Sequence, residues 1–218
     1  MGKKIKMPLP YLSNSSFSLF QKDPMEWYMQ YMVARVEKEG EPLTLGKIFQ
    51  QAMCDKKFDY AKALKEAGFN SDKERIFKRA LENRTIVRLP KKNTEKKIIV
   101  KGRGLNYPIL AQFDGIDTDI TLIVENKFGC VWTQQRVDDG IFYDETRTKR
   151  QDRQITWYIL AYYIKYGVMP RFLLQSFNGK NGALVQLWAE RTMFDLDKLV
   201  HDINEMVARV EAGDFNKK

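Results

Sequence analysis

An α/β (α+β) layer, with helices flanking a mixed sheet, is predicted by three observations. Apolar residues recur at helical spacing over the first third of the chain. The period changes to two between about residues 98 and 128, and one helix, two strands and a last helix follow. The 218 residues suit one domain with an elaboration. A chain of this length buries about 70% of its unfolded surface, so the core needs no covalent staple.

Each element has its own signal. Ser13, Ser15 and Ser16 offer N-caps to a short helix through Phe17 and Phe20, and Asp23-Pro24 restarts it with Pro24 in the first turn. Trp27, Tyr31 and Ala34 recur at helical spacing as far as Glu39-Gly40. Thr44 then caps a long helix to about Ala67, with Ile48, Phe49, Ala52 and Met53 on its apolar stripe and Gly68 as its stop. Asp72 to Asn83 is a third helix. Ile98 to Val100 is a strand, Gly102-Arg103-Gly104 a break, and Pro108 to Ile116 a second strand. Asp117 to Asp119 turns the chain into a third strand, Ile120 to Phe128. Gly129 to Arg150 has no clear period, and loops of that length in compact domains are usually functional or mobile. Gln151 to Tyr166 is a helix with an aromatic face. Phe172 to Phe177 and Ala183 to Ala189 are strands joined by the turn-rich Asn178–Gly182 stretch, and Asp195 to Ala212 is the closing helix. The expected organisation is a basic helical elaboration over residues 1–84, a core over 97–190 and a C-terminal helix over 194–213.

Lys and Arg total 37 against 28 Asp and Glu, a net charge of +9. The first hundred residues hold 21 basic and 12 acidic side chains; the remainder holds 16 of each. So lopsided an excess points to a polyanion, most often nucleic acid. With 44% hydrophobic residues the chain is not disordered. No apolar run approaches the roughly 18 residues of a membrane span, and the basic start leads into Pro8 and Pro10 rather than a signal-peptide core. Cys54 and Cys130 are too few for a disulfide framework or a four-thiolate metal site, which fits a reduced cytoplasm. His201 is the single histidine, in an amphipathic helical stretch; it excludes His-rich zinc sites and reads as a structural or surface residue. Lys91-Lys92 and Lys96-Lys97 read as a solvated hairpin tip or a DNA contact.

The second and third strands carry the chemistry. Alternation puts Asp114 on one face of the second and Glu125 with Lys127 on one face of the third. A tight hairpin pairs residues whose numbers total 237 and sets Glu125 diagonal to Asp114. A four-residue loop gives a total of 239 and sets them directly opposite. Either odd register gathers the three charges on one face, and a one-residue slip scatters them. Two carboxylates are hard oxygen ligands suited to Mg2+ or Mn2+, which neutralises a phosphodiester and acidifies water. Lys127, with an ordinary pKa of about 10.4, suits a positioning cation better than a general base. The alternative is a solvated hairpin with ordinary turn chemistry. Against it, the apolar run Leu122-Ile123-Val124 belongs to a strand covered on both faces, where unpaired charge is costly.

Asp114 followed eleven residues later by Glu125-Asn126-Lys127 resembles the D…(D/E)-x-K signature of the PD-(D/E)XK nuclease superfamily. Three further elements, in order, resemble its RecB-like branch, which includes CRISPR-associated and phage exonucleases. They are the Ser-rich opening helix of Leu12–Tyr31, Gly46-Lys-Ile-Phe-Gln50, and Gln154-Ile-Thr-Trp-Tyr158. The resemblance covers residues 12 to about 165. It implies a restriction-endonuclease-like αβββαβ core and a nuclease that hydrolyses DNA with Mg2+ or Mn2+, read as an exonuclease of recombination, repair or phage DNA processing. An endonuclease on the same core and a catalytically silent DNA-binding module are the alternatives. It further implies Asp114, Glu125, Lys127 and Gln154 as catalytic residues, with Asp114, Glu125 and the Asn126 carbonyl holding metal. Ser13, Ser15, Gln50, Lys149, Arg150, Arg153 and Tyr158 would meet substrate. DNA is the implied partner, with a recombinase or single-strand-annealing protein beside it, in the cytoplasm of a bacterial, archaeal or phage-infected cell. Two positions depart from the pattern. Gln50 stands where many relatives have a metal-binding histidine, and Asp23 where cluster-bearing relatives have cysteine, so no iron–sulfur cluster is expected.

Overall fold

A computed structural model of the protein describes residues 5–34, 45–129, 132–139, 141–143, 149–151 and 153–216. Leu12–Ser13 is a two-residue strand, β1, that runs straight into helix α1 (Asn14–Lys22). The change falls at Ser13, whose backbone is extended and whose Oγ accepts the Ser16 N–H at 3.2 Å. Asp23 repeats the device for α2 (Pro24–Tyr28), accepting the Glu26 N–H at 2.8 Å, with Pro24 where a missing N–H costs nothing. A π turn over Met29–Val33 continues the helix. The expected ending at Glu39-Gly40 and the Thr44 cap lie outside the described residues.

The single long helix expected to reach Ala67 is two helices, α3 (Leu45–Cys54) and α4 (Tyr60–Glu66). Two aspartates divide it. Asp55 Oδ1 accepts the Lys57 N–H at 2.9 Å, and Asp59 Oδ1 caps α4 through the Lys62 N–H at 3.0 Å. Short acidic side chains thus offer the backbone a turn and a new cap in place of helical bonds. Helix α5 (Ser71–Leu81) follows, capped by Asn70. Lys91 and Lys92 sit in a short 3-10 turn, and Lys96 and Lys97 lie within strand β2 (Thr94–Val100), so they do not flank one hairpin tip. Strands β3 (Ile109–Asp117) and β4 (Leu122–Phe128) come next. The stretch without a period contains α6 (Gln134–Asp139) and a hairpin of β5 (Ile141–Tyr143) and β6 (Lys149–Gln151), elements too short to display one. Because Gln151 pairs with Ile141, helix α7 (Gln154–Tyr166) starts three residues later than expected. Strands β7 (Arg171–Phe177) and β8 (Leu184–Ala189) precede α8 (Met193–Ala212), whose start is set by a capping box of Thr192 and Asp195.

The strands form a six-stranded mixed sheet in the order β1-β3-β4-β7-β8, with β2 on the other edge of β3. β4 and β7 are parallel, as are β1 and β3; the other pairs are antiparallel. Side-chain parity separates the two faces. Ile123, Phe172 and Leu174 join the main core with Trp157, Tyr162, Leu196 and Ile203 of α7 and α8 and Phe17 and Phe20 of α1. On the opposite face Phe128 and Phe177 meet Phe49 and Phe77 of α3 and α5, and Val87 and Leu89 cross over Leu122, Val124 and Leu173. No described helix is long and apolar enough to cross a membrane.

One edge of β3 is shared between two partners. β1 takes Ile109 and Leu110, and β4 takes Gly115 to Asp117, so residues 111–114 between them have no ladder partner on that edge. The sheet opens there. Within the α1–α2 corner, Trp27 and Ser16 are fully buried, and the indole N–H donates to Ser16 Oγ at 2.9 Å. Ser16→Ala leaves that donor unsatisfied and is expected to cost about 1–3 kcal/mol in urea denaturation; an unchanged midpoint would show that the bond is dispensable.

Candidate active site

β4 delivers the central carboxylate. Glu125 follows the buried run Leu122–Val124 and is itself only 3% exposed. Lys127, two residues on, shares its face, and its Nζ donates to Glu125 Oε1 at 2.7 Å. Gln154 opens α7, and its Nε2 reaches the same oxygen at 3.3 Å and the Tyr158 hydroxyl, one turn later, at 2.8 Å. The Tyr158 ring packs on Phe113, with centroids 5.0 Å apart. Among the described residues the second oxygen, Glu125 Oε2, is buried with no hydrogen-bond partner.

Asp114 enters from β3 at the opening. The register is odd: Gly115 faces Val124, Ile116 faces Ile123 and Asp117 faces Leu122, a total of 239. The ladder stops one pair short of Asp114 and Glu125, however. Asp114 Oδ2 instead accepts the Asn126 main-chain N–H at 2.8 Å. Burial and the neighbouring Glu125 carboxylate raise the Asp114 pKa well above the usual carboxylate value, against the opposing pull of that N–H and of Lys127.

Asn126 points to the other face, toward α3. Its Nδ2 donates to Gln50 Oε1 at 3.3 Å, and Gln50 Nε2 donates to Cys54 Sγ at 3.2 Å. Cys54, Thr94, Asp114 and Asn126 line one small space there, and burial pushes the Cys54 thiol pKa up. The Asn126 side-chain oxygen accepts from Gln175 on β7 at 2.8 Å.

Seven of the residues singled out in the sequence are therefore linked: Gln50, Asp114, Glu125, Asn126, Lys127, Gln154 and Tyr158. The others are placed differently. Ser13 and Ser15 bond to each other at 2.9 Å beside the α1 cap. Arg153 precedes α7 and forms an ion pair with Asp202 of α8. Lys149, Arg150 and Gln151 lie in β6, ahead of α7, their side chains outside what is described. His201, Asp202 and Glu205 bring potential ligand atoms within 4.8 Å of one another on α8, but Asp202 already serves Arg153. Gln175 was not singled out. Its signal was a polar residue inside the apolar strand Phe172–Phe177, where burial demands a partner.

The donor set fits a hard divalent cation. Asp114, Glu125 and the Asn126 carbonyl offer oxygen, Glu125 Oε2 lacks a partner, and burial penalises a second negative charge that a cation would offset.

No family model and no curated protein matches the sequence. Among solved structures, a protein from Eubacterium rectale, provisionally named an exonuclease, matches 95% of this chain and 83% of its own at a TM-score of 0.64 and 12% identity. At that identity the likeness is one of fold, a mixed sheet flanked by helices.

The raised Asp114 pKa has a definite sign in stability. Its unfolded value is about 3.9, so between there and the raised folded value the folded state binds more protons, and stability falls as pH rises. In EDTA, Asp114→Asn is expected to melt above the wild type at pH 7, with the gap closing below about pH 4. Equal melting temperatures at pH 7 would contradict the assigned strain.

Proposed function

We propose that the protein is a divalent-metal-dependent deoxyribonuclease, an exonuclease acting in recombination, repair or phage DNA processing. The observation that carries this reading is the buried Glu125, with one oxygen bound by Lys127 and the other unsatisfied beside Asp114. Its likeness in fold to a protein provisionally named an exonuclease supports it.

Asp114, Glu125 and the Asn126 carbonyl would hold Mg2+ or Mn2+, which supplies charge neutralisation at the phosphodiester and a more acidic water. Lys127 Nζ, fixed by Glu125 Oε1, positions the attacking water and steadies charge developing on the phosphate. Gln154 braces the same carboxylate from α7 and is itself tied to Tyr158. Glu125 thereby keeps one orientation, and its other oxygen would be left to hold the cation. The basic first hundred residues would hold the DNA backbone, with Lys96 and Lys97 exposed on β2.

End-labelled linear DNA and closed circular DNA, each with Mg2+, form the test. Degradation of linear DNA alone is expected. Cutting of circles would make the enzyme an endonuclease, and binding without cleavage would make it a silent module. Lys127→Ala is expected to lower kcat by about 10²–10³-fold, and Asp114→Asn to abolish cleavage while leaving DNA binding. Binding should weaken steeply between 50 and 200 mM salt, as multiple phosphate contacts require. Full activity in Asp114→Asn would defeat the assignment.

A further inference from the structure

We propose that Gln175 is a positioning residue that sets the polarity of a chain of side-chain amides and so turns the oxygen of Gln50, rather than its nitrogen, toward Asn126 beside Asp114. The inference rests on the metal-site reading above and deepens it.

The fixed end of the chain is main chain. Gln175 Oε1 accepts the Val87 N–H at 2.8 Å, and Gln175 Nε2 donates to the Val87 carbonyl at 3.0 Å. A backbone N–H can only donate and a carbonyl can only accept, so this two-point contact permits one orientation of the amide. The remaining capacity of Gln175 is also used. Its oxygen accepts from Gln186 Nε2 at 3.1 Å, and Gln186 Nε2 lies 2.9 Å from the Thr85 carbonyl. Gln175 is fully buried, and all its groups are satisfied.

Polarity then passes outward. Gln175 Nε2 donates to Asn126 Oδ1 at 2.8 Å, which leaves Asn126 Nδ2 facing α3. That donor meets Gln50 Oε1 at 3.3 Å, and Gln50 Nε2 meets the Cys54 sulfur at 3.2 Å. Reversing any one amide sets donor against donor or acceptor against acceptor in a part-buried chain anchored on the fully buried Gln175, which is costly.

Asn126 therefore holds two oxygens from different elements. Its main-chain N–H holds Asp114 Oδ2 from β3, and its side chain holds Gln50 Oε1 from α3. An amide oxygen is a hard ligand or water acceptor for Mg2+; an amide N–H repels the cation. Gln175 touches neither substrate nor cation in this arrangement and acts through Asn126. Partners of this kind, when removed, cost about 10–100-fold in metal affinity.

The experiment measures Mg2+ affinity by calorimetry on metal-free full-length protein, in the wild type, Gln175→Met, Gln50→Met and the double variant. Gln175→Met is expected to weaken Mg2+ about tenfold or more, with kcat recovered at saturating Mg2+, which a general folding defect would not allow. The double variant is expected to bind no more weakly than the weaker single, because both cut one chain. Wild-type affinity in Gln175→Met, or losses that multiply in the double variant, overturns the proposal. Should Gln175→Met fail to fold, Asn126→Leu cuts the chain without releasing Val87, and wild-type Mg2+ affinity in that variant overturns it equally. A wild type that binds no Mg2+, or binds it as well after Asp114→Asn, defeats the metal-site reading itself; Asp114-dependent binding that ignores Gln175 defeats only the amide chain.

Discussion

The hydrogen bond from the Asn126 N–H to Asp114 Oδ2 spans the place where β4 leaves β3. Backbone pairing between those strands ends at Gly115 and Val124, and the far end of the same β3 edge belongs to β1. Without a bridge, the N–H at the opening would be stranded in a covered sheet, which proteins rarely tolerate. A carboxylate supplies the bridge, and the sheet thereby acquires an acidic group at its widest point. β4 continues instead along β7, from Leu122 against Arg171 to Phe128 against Phe177, so its second half stays rigid while its first partner falls away.

That rigidity explains how Glu125 can be buried at all. Parallel pairing with β7 covers one edge of its backbone, Gln154 and Tyr158 of α7 cover its face, and Lys127 neutralises one oxygen. Two carboxylates and one ammonium still leave net negative charge in a poorly hydrated place, and Asp114 responds by holding its proton more tightly. The opposite face, under α3 and the Val87 crossing, is built from neutral amides. The Glu125–Lys127 pair and the neutral amides thus occupy the two sides of β4, and Asn126 joins them to Asp114, its main chain serving that acid and its side chain the amides.

Much of this was legible in local pattern. The caps at Ser13 and Asp23, the stop at Gly68 and the alternation along Leu122–Lys127 depend on neighbours a few residues away, and each element sits where those signals put it. The odd register followed from a four-residue loop, one of the two lengths the sequence allowed. The break at Asp55–Asp59 was missed because an apolar stripe resumes after it in helical phase, while the competing side-chain bonds are visible only by position. The late start of α7 depends on pairing with β5, and the Arg153–Asp202 pair joins two helices distant in sequence. Gln175 shows the limit most clearly. Its polarity in an apolar strand announces a partner, but the partner, Val87, lies in a segment with no period of its own.

The central claim is that the opening between β3 and β4 holds a divalent cation. Anomalous diffraction from crystals grown with Mn2+ tests it directly. An anomalous peak is expected within reach of Asp114, Glu125 and the Asn126 carbonyl, with Glu125 Oε2 among its ligands. A protein that shows no peak there, or shows one only at His201, Asp202 and Glu205 on α8, would contradict it.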